Sequence, residues 1–270
     1  MNVNGIKCET RKTVMKILTA YCTDAGTVKK VNQDALLIKT AEYEGMEIAF
    51  MCVCDGMGGL SMGEYASRQL IYKFANWFDE QFESILEGED WQHDIMNQWV
   101  DLLENSNIEL QKYGNEKGIK LGTTCTAMLI IDRKYYIIHI GDSRVYEIKN
   151  DIVQITQDHT LVAREVAMGR LTEEEARTDS RRSVLLQCIG ATKDITPHFL
   201  TGETGSPATY ILCSDGFRHT ISSQEIYEGF SPDKMRTEES MEKVCKEFVE
   251  LNKLRHERDN ITVIVAHLED

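Results

Sequence analysis

The sequence predicts an α+β fold in which antiparallel β-sheets are covered by α-helices. Strand-like apolar runs occur in blocks, and the runs between residues 124 and 148 are separated by turns short enough for hairpins. Long helical patterns stand between these blocks instead of alternating with single strands. Strict alternation would favour a parallel sheet, so the observed grouping favours antiparallel sheets.

The first block predicts three strands, at residues 16–22, 35–39 and 48–54, with turn chemistry in Thr23-Asp-Ala-Gly26. After Gly59 the period of the apolar residues becomes helical, which predicts one long helix over 64–86. Its predicted inward residues are Ala66, Leu70, Phe74, Phe78, Phe82 and Ile85.

A second helix is predicted over 91–113, ended by Gly114 and Gly118, with Ile95, Trp99, Leu102 and Leu110 inward. Three strands in hairpin succession are predicted at 124–131, 135–140 and 144–148. Short helices follow in 161–177, and strands return at 209–213 and 261–266. A helix over 238–254 would turn inward Met241, Cys245, Phe248 and either Leu251 or Leu254.

Length and composition predict a single domain over 1–270, because no Pro-, Gly- or Ser-rich linker divides the chain. The net charge of −14 argues against nucleic-acid binding. Eight scattered cysteines without a Cys-x-x-Cys pair are typical of buried free thiols. We find no apolar signal segment and no membrane-spanning run, so we expect a cytoplasmic protein.

Four aspartates stand beside strand-like runs and are candidate metal ligands. Asp55-Gly56 and Asp215-Gly216 each follow an apolar run, and Asp34 and Asp259 each adjoin another. Hard cations such as Mg²⁺ and Mn²⁺ prefer such oxygen ligands. A single Asp-Gly pair is more often a surface turn, but two pairs together with Asp142 and Asp259 favour a shared site.

Six ordered motifs resemble those of the metal-dependent protein phosphatases of type 2C, and most closely the bacterial branch. The resemblance covers residues 17–267. The motifs are Thr23-Asp-Ala-Gly26 with Asn32-Gln-Asp34, Asp55-Gly-Met-Gly-Gly59, Gly122-Thr-Thr124, Gly141-Asp-Ser-Arg144, Cys213-Ser-Asp-Gly216 and Asp259-Asn-Ile-Thr-Val263.

The resemblance implies a central antiparallel β-sandwich with helices on both outer faces, and two divalent cations, Mn²⁺ or Mg²⁺, at one end. Asp55 would bridge both cations. Asp34 and the Gly56 carbonyl would bind one cation, and Asp215 and Asp259 the other. Two cations about 3.5–4 Å apart can hold a shared water as hydroxide and direct it at phosphorus.

The implied activity is hydrolysis of phosphoserine and phosphothreonine in proteins by that metal-bridging water or hydroxide, without a phosphoenzyme. The implied partners are phosphorylated proteins, including a Ser/Thr protein kinase and its substrates, and we expect a monomer.

The chain departs from the family pattern at the residue that grips the substrate phosphate. Relatives have an arginine where this chain has Lys29, with Lys30 beside it. Lysine supplies charge without a bidentate fork, so we expect less selective phosphate binding by Lys29 and Lys30. A solvated Lys-Lys pair is the alternative.

Two further departures concern the catalytic acid and a third metal. Met57 stands where animal enzymes have a histidine, so we assign the leaving-group proton to metal-bound or bulk water. A third metal in relatives would use Asp142 and an aspartate where this chain has His219, a poor Mg²⁺ ligand. Asp142 could instead orient a metal-bound water or the loop of Ser143 and Arg144, so a third metal stays open.

A polar segment over 161–182 matches the flap beside the active site of bacterial relatives, and its arginines are candidates for substrate contact. They are Arg164, Arg170, Arg177, Arg181 and Arg182.

Two other function classes compete with the phosphatase interpretation. A catalytically silent module that binds a phosphoprotein is the main alternative, which Lys29 and His219 keep open and the retained aspartates disfavour. A cysteine phosphatase is disfavoured because Cys213 and Arg218 are separated by one residue too few.

Overall fold

The structure, a computed structural model, describes residues 15–57 and 62–270 and contains two five-stranded antiparallel sheets. The first sheet has the order β1 (Lys16–Asp24), β10 (Ile261–Glu269), β9 (Ala208–Cys213), β6 (Arg144–Ile148) and β7 (Ile152–Gln154). The second has the order β2 (Asp34–Tyr43), β3 (Met46–Asp55), β4 (Cys125–Ile131), β5 (Lys134–Ile140) and β8 (His198–Glu203).

Helices cover both outer faces of the resulting sandwich. The second sheet packs against α1 (Gly63–Glu80), α2 (Phe82–Leu86) and α3 (Trp91–Lys117). The first sheet packs against α6 (Asp215–Arg218), α7 (Ser223–Phe230) and α8 (Glu238–Leu254). The segment between β7 and β8 carries α4 (Leu161–Ala167) and α5 (Glu173–Thr178). A 3₁₀ turn spans Pro232–Lys234, between α7 and α8. The predicted α+β fold with helices on both faces of a sandwich is confirmed.

Strand β3 has an uninterrupted apolar run because both of its faces are buried. Successive side chains of a strand point to opposite faces. Phe50 and Cys52 therefore pack under the helices, whereas Met51 and Val53 pack between the two sheets, and all four are fully buried. A strand buried on both faces carries no polar alternation, although its sheet is antiparallel.

Several sequence predictions of single elements were wrong. The helix predicted over 64–86 is broken at Gln81 into α1 and α2, and α3 continues through Gly114 to Lys117. The strands β5 and β6 do not form a hairpin, because Gly141, with φ of 112°, leads the chain from the second sheet into the first. The edge strand β8 was missed.

One predicted inward residue of α3 is placed differently, and on α8 the structure selects Leu251, which packs against the core, over its alternative Leu254. Leu102 is only partly buried and its neighbour Leu103 takes the core position of α3. Leu254 is 75% exposed, and Val249 and Asn252 are buried on α8 instead. Asn252 donates to the Phe217 carbonyl at 2.9 Å, which ties α8 to α6.

Strand register brings the acidic strand ends together. Asp34, the first residue of β2, is directly opposite Asp55, the last residue of β3. In the other sheet Cys213, the last residue of β9, is opposite Val263, so Asp215 and Asp259 lie just beyond the same end of that sheet. No described helix is both long and apolar enough to cross a membrane.

An aromatic cluster under the helices gives a test of this packing. The Phe50 ring centroid lies 5.6 Å from those of Phe74, Trp77 and Trp99. We expect Phe50→Ala to lower the free energy of unfolding by about 3–5 kcal/mol, because it leaves a cavity in a close-packed core. Denaturant unfolding measures this, and Ile108→Ala, at a side chain 64% exposed, should change stability by less than about 0.5 kcal/mol.

Candidate metal centre

A hydrogen bond across the sandwich joins the two pairs of acidic residues. The Ser214 hydroxyl donates to Asp34 Oδ2 at 2.9 Å, and Ser214 itself pairs with Thr262 through backbone and side chain, both at 3.0 Å. Ser214 immediately precedes Asp215. The structure therefore brings Asp34, Asp55, Asp215 and Asp259 to one end of the sandwich, as the sequence predicts.

Glycines allow the backbone to approach closely around these aspartates. A Cβ on Gly56 would collide with the backbone of Gln33 and Gly63, and one on Gly216 would collide with the Asn260 carbonyl. The Gly56 amide donates to the Gln33 carbonyl at 3.1 Å, and the Gly56 carbonyl remains the candidate ligand that the sequence predicts. Residues 58 and 59 of this motif lie outside the described residues.

The loop that carries Lys29 is fastened to the turn that carries Asp259. Asn260 donates to the carbonyls of Ala25 and Val31 at 3.0 and 3.2 Å and accepts from the Gln33 amide at 2.9 Å. Lys29 Nζ lies 2.9 Å from Asp259 Oδ1. Lys30 is exposed beside it. Sequence reasoning missed the role of Asn260, although its position beside Asp259 at a strand start is a signal for such a turn.

Crowded carboxylates disfavour one another's ionisation. Burial raises the pKa of Asp34 to about 7, and the charges of Asp215 and Asp259 act in the same direction. Burial together with the charges of Asp34 and Asp215 raises the pKa of Asp55 well above its usual range. Partial burial opposes the charge on Lys29, but its hydrogen bond to Asp259 outweighs this and raises the pKa of Lys29.

The residues present fit a pair of divalent cations. Asp34 Oδ1 and Asp215 Oδ1 are buried oxygens without a hydrogen-bond partner among the described residues, and such atoms are costly unless something binds them. Cations bound by the two aspartates would satisfy these oxygens and offset the mutual repulsion. All the donors are oxygens, which suits Mg²⁺ and Mn²⁺.

A cluster of three thiols is more closely spaced than the carboxylates of the candidate site. Within residues 15–57 and 62–270, the sole group of three His, Cys, Asp or Glu side chains whose donor atoms lie within 4.8 Å of one another is Cys52, Cys54 and Cys125. These thiols are fully buried in the apolar core, and burial raises the pKa of Cys52 and Cys54. The seven described cysteines are free, in agreement with the sequence prediction.

The candidate third-metal residues, Asp142 and His219, both face charged side chains of the protein itself. His219 Nε2 lies 3.3 Å from Asp215 Oδ2, and Nδ1 lies 3.6 Å from Glu257 Oε2, so carboxylates face both ring nitrogens. Burial would lower the pKa of His219, but Asp215 and Glu257 outweigh it and raise the pKa. Asp142 faces Arg218, whose Nη2 is 3.7 Å from Asp142 Oδ2.

Two supporting acids were missed by sequence reasoning. Glu257 is buried and accepts from the amides of Arg258 and Asp259 at 2.8 and 3.0 Å, so it shapes the Asp259 turn. Asp158 accepts bidentate hydrogen bonds from the Arg144 guanidinium, both at 2.8 Å. The need of Arg144 and Arg218 for an acidic partner is the signal that could have found Asp158.

The predicted flap contains α4 and α5 and is closed at its base by a bridge between Thr160 and Leu185. Two of its arginines pair with its own acids, Arg170 with Glu165 at 3.3 Å and Arg181 with Asp179 at 2.7 Å. The exposed Arg164 lines an open pocket of about 360 Å³ at the flap base.

Comparison with known proteins agrees with this fold and identifies the family. The family model for protein phosphatase 2C matches residues 25–263. Protein phosphatase PhpP of Streptococcus pneumoniae is 31% identical over 78% of this chain and 83% of its own length. Serine/threonine phosphatase Stp1 from Staphylococcus aureus superposes with a TM-score of 0.80, 29% identity, and coverage of 94% of this chain and 96% of that chain.

A third relative was solved with metal. The catalytic domain of the serine/threonine protein phosphatase PstP, in complex with 2 manganese ions, superposes with a TM-score of 0.76 and 27% identity, covering 95% of this chain and 100% of that chain.

The fold, the matching family model and the manganese-bound relative define a metal-dependent phosphatase. The four aspartates at one end of the sandwich, Asp34, Asp55, Asp215 and Asp259, are called the acidic pocket below. The chain belongs to the protein phosphatase 2C family, and its named relatives are bacterial. The sequence prediction of a protein phosphatase from the bacterial branch is therefore confirmed.

The raised pKa of Asp34 predicts how stability depends on pH in metal-free protein. A carboxyl whose pKa of about 7 exceeds its unfolded value stabilises the fold at low pH, and this contribution is lost as pH rises through 7. Between pH 5 and pH 8 the wild type should lose at least about 1 kcal/mol relative to Asp34→Asn. Added Mn²⁺ should restore the wild type more than the variant.

Denaturant unfolding in a chelating buffer measures this difference. Burial lowers the pKa of His139 to about 3 and that of His159 to about 4, which makes stability rise with pH. The wild type and Asp34→Asn share these histidines, so the effect of the histidines on stability cancels in the comparison. Parallel pH profiles for the two proteins would contradict the assignment.

Proposed function

We propose that this chain hydrolyses phosphoserine and phosphothreonine esters in proteins, with two divalent cations, Mn²⁺ or Mg²⁺, bound at its acidic pocket. The observation that carries the proposal is the meeting of Asp34, Asp55 and Asp215 at one end of the sandwich, with buried oxygens of Asp34 and Asp215 left unpartnered among the described residues. The family match and the phosphatase names of its relatives support the same chemistry.

Each pocket residue has a proposed role. Asp55 would bridge the two cations, with Asp34 and the Gly56 carbonyl on one and Asp215 and Asp259 on the other. The bound cations supply Lewis acidity that makes water nucleophilic at neutral pH and neutralises charge on the phosphoryl oxygens. Ser214 holds the Asp34 carboxylate at 2.9 Å, which fixes its orientation for this role.

Lys29 is the proposed phosphate-binding residue. Its side chain is 28% exposed, and the charges of Asp259, Asp55 and Asp215 act on its ammonium group. Binding a phosphate requires Lys29 to exchange its contact with Asp259 for the substrate. Val28 and Val31 are 52% and 47% exposed beside it and offer an apolar rim to the peptide around the phosphorylated residue.

The leaving-group proton is assigned to solvent. Both nitrogens of His219 face carboxylates, and His139 is fully buried and hydrogen-bonded to Thr126 at 2.9 Å. Met57 cannot donate a proton. Water entering the pocket therefore protonates the serine or threonine oxygen.

The wider biological role is also a proposal. Residues 1–270 would act as one monomeric domain, with a Ser/Thr protein kinase and its phosphorylated substrates as partners. The buried thiols are suited to a reducing compartment, which supports a cytoplasmic location.

Asp55→Asn tests the proposed function. We expect kcat/KM for a phosphothreonine peptide to fall at least about 100-fold, because a neutral amide is a weaker bridge between two cations. Phosphate release with Mn²⁺ measures this, and Asp79→Asn, at an exposed aspartate of α1, is the matched control. Wild-type inactivity with both Mn²⁺ and Mg²⁺ would contradict the proposal.

Lys29→Gln and Lys29→Arg test phosphate binding. Loss of the charge should raise KM for the phosphopeptide about tenfold, whereas arginine should keep or lower KM through its bidentate fork. Steady-state kinetics at saturating Mn²⁺ measure both. The same change at exposed Lys30 should have a smaller effect, and equal KM values for Lys29→Gln and wild type would rule out the role of Lys29.

A further inference from the structure

The side chains around Asp142 form an alternating row of positive and negative groups. Arg144 binds Asp158 through two bonds of 2.8 Å, and Arg218 Nη2 donates to the same Asp158 at 3.3 Å. Arg218 Nη2 also donates to the Asp142 carbonyl at 3.1 Å and lies 3.7 Å from the Asp142 carboxylate. Two arginines thus neutralise two aspartates beside the pocket.

The Arg218 guanidinium is held where it is by burial and by the fold. Its side chain is 13% exposed, and it leaves α6 three residues after Asp215. Its Nη2 makes the hydrogen bonds described above, whereas its Nε is buried and has no hydrogen-bond partner among the described residues. Burial therefore helps to hold the guanidinium in place. An arginine keeps its charge at every pH at which the protein folds, so this cation is permanent.

We infer that Arg218 is a built-in cation that replaces a third metal ion beside Asp142, so that this chain binds two divalent cations and no more. The inference rests on the proposed function for the two-cation pocket itself. A divalent cation on Asp142 would meet the guanidinium at close range, and like charges repel each other strongly at a site removed from water.

His219 closes the same position from the other side. It would have to give up Asp215 or Glu257 to offer a ring nitrogen to a metal, since each nitrogen faces one of these carboxylates. Glu257 also accepts hydrogen bonds from the amides of Arg258 and Asp259, so a shift of Glu257 away from His219 would disturb the turn that carries Asp259. Arg218 and His219 are therefore positioning residues, which hold Asp142 and Asp215 through direct contacts.

Counting bound metal tests this inference. Each protein is dialysed against excess Mn²⁺, passed through a desalting column and analysed for manganese per chain. The wild type should retain about two ions. The double variant Arg218→Met with His219→Asp removes the cation and adds an oxygen ligand, so it should retain about one more. Arg218→Lys keeps the positive charge and should bind the same number as the wild type.

The outcomes separate this inference from the proposed function. A wild type that binds about three ions overturns the inference, even if it is an active phosphatase. A wild type that binds about two ions but releases no phosphate supports the inference and contradicts the proposed function. A folded double variant that gains no metal overturns the inference, and if that variant does not fold, the wild-type and Arg218→Lys counts decide.

Discussion

Asp34 and Asp55 lie directly opposite each other on neighbouring strands, and most of the site can be understood from what that pairing costs. Like charges at directly opposite positions repel, and burial makes the repulsion worse, which is why the pKa of both carboxyls is raised. The pocket therefore needs positive charge. Bound divalent cations meet that need at the centre, and the protein's own cations meet it at the edges.

The protein's own cationic side chains lie on two sides of the acidic pocket, one more exposed and one buried. Lys29 lies on the more exposed side, where we propose that it binds the substrate phosphate, and its partner Asp259 is itself a proposed ligand. Arg218 and His219 lie on the buried side, where they hold Asp142 and Asp215. A mobile, hydrated ammonium suits a group that changes partners, whereas a buried arginine suits one that does not.

Much of the fold and of the candidate site could be predicted from this sequence, and the failures have physical causes. Apolar runs mark strands well, because β3 and β10 are buried on both faces. Strand pairing was harder: β5 and β6 look like a hairpin, yet a short turn at Gly141 sends them into different sheets. The edge strand β8 is only partly buried, so its weak apolar pattern concealed it.

The sequence by itself determined which carboxylates are candidate ligands, because Asp-Gly pairs directly after apolar runs place carboxylates where strands end and the backbone can turn. It also determined the helical and strand segments whose period is strong. Only the tertiary structure decided which charges meet. Arg218, Asp158 and Glu257 are distant from Asp142 or from each other along the chain and acquire their partners through sheet register and helix docking, which a local pattern does not encode.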